Sequence, residues 1–110
     1  MNEEQKNNLN AEELQKLIDE AEKGSIMNKQ KIDGYHGIYN GIKYYWHDKE
    51  SYAVISFIYD GIVLSRDVGN ITGPDFDMGI IDVVSEIEVN LAIEAYEIEK
   101  KAKELLAKER

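Results

Sequence analysis

The sequence predicts an α+β domain: a short N-terminal helix, a four-stranded antiparallel meander, and one long C-terminal helix packed across the sheet. Three observations carry that expectation. No proline follows Pro74 and no glycine follows Gly79, so nothing breaks a helix over the last thirty or so residues. Asn40-Gly41 and Asp60-Gly61 are strong two-residue hairpin signals, because a type I′ turn needs positive φ at both positions. Between and beside those turns lie short runs rich in aromatic and β-branched residues.

Taken in order, residues 1–8 are polar and without apolar periodicity, as a tail would be. Asn10 stands three residues before Glu13 in a capping arrangement, and Leu14, Leu17, Ile18 and Ala21 form an i, i+3, i+4, i+7 stripe that ends before Gly24. A helix from Ala11 to Lys23 follows. Residues 25–31 read as a linker, and Met27 offers a second start, so the domain proper is expected at 32–110, able to persist without residues 1–31. Strands are expected at about 34–39, 42–47, 52–59 and 62–66, so that the meander occupies 34–66. A loop with Gly69, Gly73 and Pro74 fills 67–77, and the long helix runs over 78–108. Asp75, Asp77 and Asp82 at its start and Lys100, Lys101, Lys103 and Lys108 toward its end complement the helix dipole.

Register fixes the faces. Pairing Tyr39 with Ile42, His47 with Tyr52, and Tyr59 with Ile62 puts Tyr35, Tyr39, Ile42, Tyr44, Trp46, Ala53, Ile55, Phe57, Tyr59, Ile62 and Leu64 on one face, the expected core. The other face carries His36, Ile38, Lys43, Tyr45, His47, Tyr52, Val54, Ser56, Ile58, Val63 and Ser65. A solvent face should be largely charged, and this one has a single lysine. It calls for cover by the N-terminal helix, a second copy or a ligand. The long helix has two stripes. Val84, Ile87, Leu91, Ala95, Ile98, Ala102 and Leu105 form the main one. Ile81, Ser85, Val89, Ile93 and Tyr96 run along nearly the opposite side, and Val89, Ile93 and Tyr96 are the candidate oligomer interface, which predicts a homodimer or higher oligomer.

The chain has 110 residues, with 22 Asp and Glu against 13 Lys and Arg and a net charge of −9. That charge, with only two arginines, argues against binding a phosphate backbone. The absence of cysteine excludes disulfides, thiolate nucleophiles and Cys-ligated zinc, and fits a reducing, cytoplasmic setting. No run is long and apolar enough for a membrane span.

No phosphate-binding glycine loop, EF-hand spacing or Ser-His-Asp set is present, so no catalytic residue, metal ligand or cofactor is assigned. His36 and His47 share the outer face with Tyr45. A third ligand for zinc is missing from that register. Aromatic rings with hydrogen-bonding tips suit a flat ligand such as a nucleobase, and Arg66 at the end of the last strand suits a phosphate. His36, Tyr45, His47 and Arg66 are therefore the candidate ligand-binding residues. The readings are a non-enzymatic protein holding a nucleotide-derived small molecule near a subunit interface, an acidic inhibitor acting by protein–protein contact, and an enzyme whose site is not recognised.

The layout of glycine-punctuated aromatic strands, Gly34-Tyr35-His36-Gly37 through Asp60-Gly61, followed by one acidic-to-basic helix, resembles small phage-encoded anti-defence proteins. It is similar among them to the Thoeris anti-defence sponges, which sequester cyclic ADP-ribose signals without cleaving them. The likeness spans roughly residues 33–110, is one of layout, and transfers no residue role. It implies a sequestering protein, not an enzyme.

Overall fold

A computed structural model describes residues 9–24, 31–48, 52–69 and 78–108. The expected tail at 1–8, the linker at 25–30 and the Asp75–Asp77 stretch lie outside the described residues. Helix α1 spans Ala11–Lys23, and the strands are β1 His36–Tyr39, β2 Ile42–Asp48, β3 Ala53–Tyr59 and β4 Ile62–Val68. A 3₁₀ turn, Met78–Ile80, leads into helix α2, Ile81–Lys108. The strands form one antiparallel meander in the order β1-β2-β3-β4. Among the described residues no helix is long and apolar enough to cross a membrane.

The turns form as their sequences require. Asn40 and Gly41 have φ of 51° and 77°, and Asp60 and Gly61 have 55° and 76°. Asn10 caps α1 by accepting the Glu13 amide at 2.8 Å. Gly24 ends the helix in the right-handed region, at φ −68°, its amide donating back to the Glu20 carbonyl.

Two details of register differ from expectation. Across the β2–β3 loop Asp48 faces Ala53, Trp46 faces Ile55 and Tyr44 faces Phe57, two residues away from the pairing of His47 with Tyr52. Side chains alternate with a period of two, so this shift leaves every residue on its expected face. At the start of the sheet, the Gly34 amide donates to the Trp46 carbonyl while the Trp46 amide donates to the Tyr35 carbonyl, both at 2.8 Å. Two residues thus oppose one, with Gly34 at φ 88°: a β-bulge with glycine at its left-handed position. Regular pairing begins only at His36.

The inner face buries Tyr35, Tyr44, Trp46, Ala53, Ile55 and Phe57 against Ile81, Val89 and Ala92 of α2. Tyr44 lies over Gly37, directly across from it, and a Cβ at that glycine would stand 2.6 Å from Tyr44 Cζ. On the outer face α1 is the cover. Leu14 and Ile18 are fully buried there over Val54 and Ser56, and Lys43 pairs with Glu22 at 3.0 Å. The described parts of the domain are therefore three layers: α1, sheet, α2.

The helix stripes exchange the roles expected of them. Ile81, Ser85 and Val89 face the sheet and are buried, and Ile93 packs beside them, whereas Ile87, Leu91, Ile98 and Leu105 face outward. The reason is volume. Bulky Trp46, Tyr44 and Phe57 leave room above them for Ser85, Val89 and Ala92, not for a row of leucines and isoleucines.

Because α1 supplies Leu14 to a dry contact, Leu14→Ala should lower unfolding free energy by about 2–5 kcal/mol. Urea unfolding beside the exposed Gln15→Ala checks this. Equal midpoints for the two variants would mean that α1 rests on the sheet without stabilising it.

Candidate functional site

The strands bring three of the four candidate ligand residues together. His36 on β1 faces Tyr45 on β2 across the ladder, and His47 follows two residues along the same face. The Tyr45 and His47 rings meet edge to face with centroids 4.7 Å apart. His36 Nδ1 lies 3.3 Å from the Gly34 carbonyl, so the bulge holds that ring at the sheet's rim. Burial pushes the Tyr45 phenol above its ordinary value, and the charges of Asp33 and Glu20 add to the effect. Tyr45 is therefore a neutral hydroxyl at pH 7, in a half-buried aromatic cluster bordered by α1.

Arg66 does not join them. It faces Ile55 on the inner side, and its Nε meets Glu88 of α2 at 2.6 Å. The guanidinium that could have held a phosphate is instead an ion-pair partner that ties β4 to the helix.

The densest polar chemistry lies along the seam between sheet and α2. Trp46 Nε1 donates to Ser85 Oγ at 2.9 Å, and Ser85 Oγ donates to the Ile81 carbonyl at 2.7 Å. Tyr35 donates its hydroxyl to Asp82, one turn before Ser85. Burial drives the Tyr35 phenol far above its usual range, and the hydrogen bond to Asp82 and that residue's charge reinforce it. Tyr44 is raised as well, chiefly by burial, with the Ser85 hydroxyl working against the shift. Further along, Asn90 donates to the Tyr39 hydroxyl at 3.0 Å and Tyr59 donates to Glu97 at 3.2 Å. Asp60, in the β3–β4 turn, accepts from Tyr96 at 2.6 Å and from Lys100 at 3.2 Å. Those two donors hold its carboxyl below the ordinary range.

This seam fixes the helix. The Ser85 proton goes to a helix carbonyl while its oxygen accepts an indole N–H, and the Tyr44 hydroxyl is bonded to both Ser85 and Asp82. Among the described residues no group of three His, Cys, Asp or Glu side chains is arranged to hold a metal ion. A groove of about 510 Å³ lies between the start of α1 and the β3–β4 turn. Its lining, Leu9, Asn10, Ala11, Gly61, Ile62, Val63 and Ser65, contains no titratable side chain to serve as acid or base.

No protein-family model, curated protein or solved structure matches the chain.

What remains is the outward face of α2. Val83, Ile87, Leu91, Ile98, Leu105 and Leu106 stand 41–69% exposed along it. The candidate interface residues are spent elsewhere: Val89 is buried in its own core, Ile93 packs beside it and Tyr96 holds Asp60. Ser85 could have marked the correct face, since a hydroxyl four residues from both Ile81 and Val89 is the acceptor that a buried tryptophan requires.

The tyrosines make stability depend on alkaline pH. A phenol whose pKa is higher folded than unfolded stabilises the fold fully below its unfolded value, near 10. That contribution is lost as pH rises beyond it. The urea midpoint should therefore fall between about pH 9.5 and 11. Tyr35→Phe should flatten that fall, and an unchanged slope would place the titration in other groups.

Proposed function

We propose that this chain is a non-enzymatic binding protein that acts by protein–protein contact through the outward face of α2. One observation carries the reading: six large aliphatic side chains stand exposed along the outward side of a helix whose first half is anchored to the sheet. Scattered exposed aliphatics are ordinary on a soluble domain; a row of them on one side of a helix is a surface that proteins use to bind one another. The flanking charges set solubility and orientation more than affinity.

The test is a photoreactive phenylalanine analogue at Ile98, compared with one at Lys16 on the exposed side of α1, in cells expressing the full chain. Irradiation should give a discrete adduct at 98 that is absent at 16, and the further substitution Leu91→Glu should abolish it. No adduct at 98 beyond that at 16 removes the reading.

A second reading is supported by the His36–Tyr45–His47 cluster, where edge contact and half-burial offer a ring-shaped ligand a stacking surface. It is reversible holding of a flat, nucleotide-derived small molecule, in keeping with the sponge-like layout. Incubation with a panel of linear and cyclic nucleotides, followed by heat release, should return the bound compound intact. Tyr45→Ala should weaken retention on the order of 10-fold or more, given roughly 1–3 kcal/mol per stacked ring. A chemically altered product would mean catalysis, and an undepleted panel removes this reading.

A further inference from the structure

Resting on α2 as a protein-contact surface, we infer that its occupant is a second copy of the same helix, running antiparallel. Two observations select this partner. The first is charge. Between Ile81 and Glu94 the helix carries Asp82, Glu86, Glu88 and Glu94 and no cation; Asp82 and Glu88 are engaged by Tyr35 and Arg66 of the sheet, which leaves Glu86 and Glu94 toward solvent. Between Ala95 and Lys108 it carries Glu97, Glu99 and Glu104 against four lysines, all four of them gathered at 100–108. Laid antiparallel, the acidic first half of each copy meets the lysine-bearing end of the other, and the two helix dipoles oppose favourably. Laid parallel, acid lies on acid and lysine on lysine.

The second observation is the overhang. Lys100 reaches the β3–β4 turn at Asp60, and every residue of 97–108 is exposed. Two turns of helix beyond that point project into solvent with Leu105 and Leu106 uncovered. Isolated helical turns are marginal in water, and surface Glu–Lys pairs such as Glu99–Lys103 add only tenths of a kcal/mol each. In the antiparallel pair the overhang of each chain lies on the sheet-anchored half of the other, with Leu105 and Ile98 against Ile87 and Leu91.

The outward stripe also has the spacing for such a seam. Ile87, Leu91, Ala95, Ile98, Ala102 and Leu105 follow one another in steps of four and three, averaging about the 3.5 residues at which helices keep one face together. Ala95 and Ala102 allow close approach near its middle and toward its basic end.

The experiment uses the full chain. Sedimentation should give twice the monomer mass of 12.6 kDa. Ile98→Glu, present twice in each pair, should raise the dissociation constant on the order of 100-fold or more while leaving the urea midpoint of the monomer in place. Direction is read with cysteines, clean reporters because the chain has none. Ile87→Cys and Ala102→Cys chains, refolded together and oxidised, should give chiefly the mixed disulfide, identified by its mass. Predominance of the two like-with-like disulfides overturns the antiparallel arrangement. Monomeric mass at high micromolar concentration overturns self-pairing altogether. The photo-adduct then separates the two ideas: an adduct with a different protein leaves the contact reading standing without self-pairing, and no adduct ends both.

Discussion

The fold turns on one hydrogen bond. Trp46 is fully buried at the centre of the sheet, and its indole N–H needs an acceptor where water does not reach. Ser85 supplies it. Leaving that N–H unpaired would cost about 1–3 kcal/mol. Rotating α2 to bring the larger aliphatic stripe inward would remove the acceptor and press Ile87 or Leu91 onto the tryptophan ring. Ser85 therefore sets the rotation of the whole helix about its axis. Its neighbours follow: Asp82, one turn earlier, meets Tyr35, and Glu88, one turn later, meets Arg66.

The same bond explains which parts of the architecture could be read from residues alone. Turn chemistry is local, so Asn40-Gly41 and Asp60-Gly61 disclosed both hairpins, and the period-two alternation disclosed both faces. Even the slipped β2–β3 pairing did not disturb them, because its error was two residues. Helix orientation is not local. Counting apolar side chains favours the stripe with Ile87, Leu91, Ile98 and Leu105, whereas the sheet selects by volume and hydrogen bonding, and so takes Ser85, Val89 and Ala92. The bulge at Gly34 was likewise hidden, since its evidence is a pair of backbone bonds to Trp46 and not a residue pattern.

The candidate site divides along the same line. His36, Tyr45 and His47 were legible as neighbours because strand register places them together. Arg66 was separable from them on alternation alone, but its commitment to Glu88 depends on the rotation that Ser85 imposes. A cationic side chain that looks available in sequence can thus be consumed by the fold, and here one of only two arginines is. Among the described residues the titratable group that the fold perturbs most is the buried Tyr35 phenol, and burial raises Tyr44 and Tyr45 in the same direction.

Fixing α2 by its small residues has a consequence for function. A helix that turned its bulky stripe inward would instead display Ile81, Ser85, Val89 and Ile93, a narrower apolar stripe. This helix spends serine, valine and alanine on the core and displays isoleucine and leucine to solvent. That arrangement sacrifices burial the chain could otherwise have made for itself. It is retained along the full length of the stripe, from Val83 beside the anchored first turn to Leu106 on the overhang. Core packing explains why Ser85 faces in; it gives no reason for six aliphatics to face out. The contact surface proposed above would give one, and the helix's passage from acids at its start to lysines at its end is what the proposed antiparallel pairing rests on.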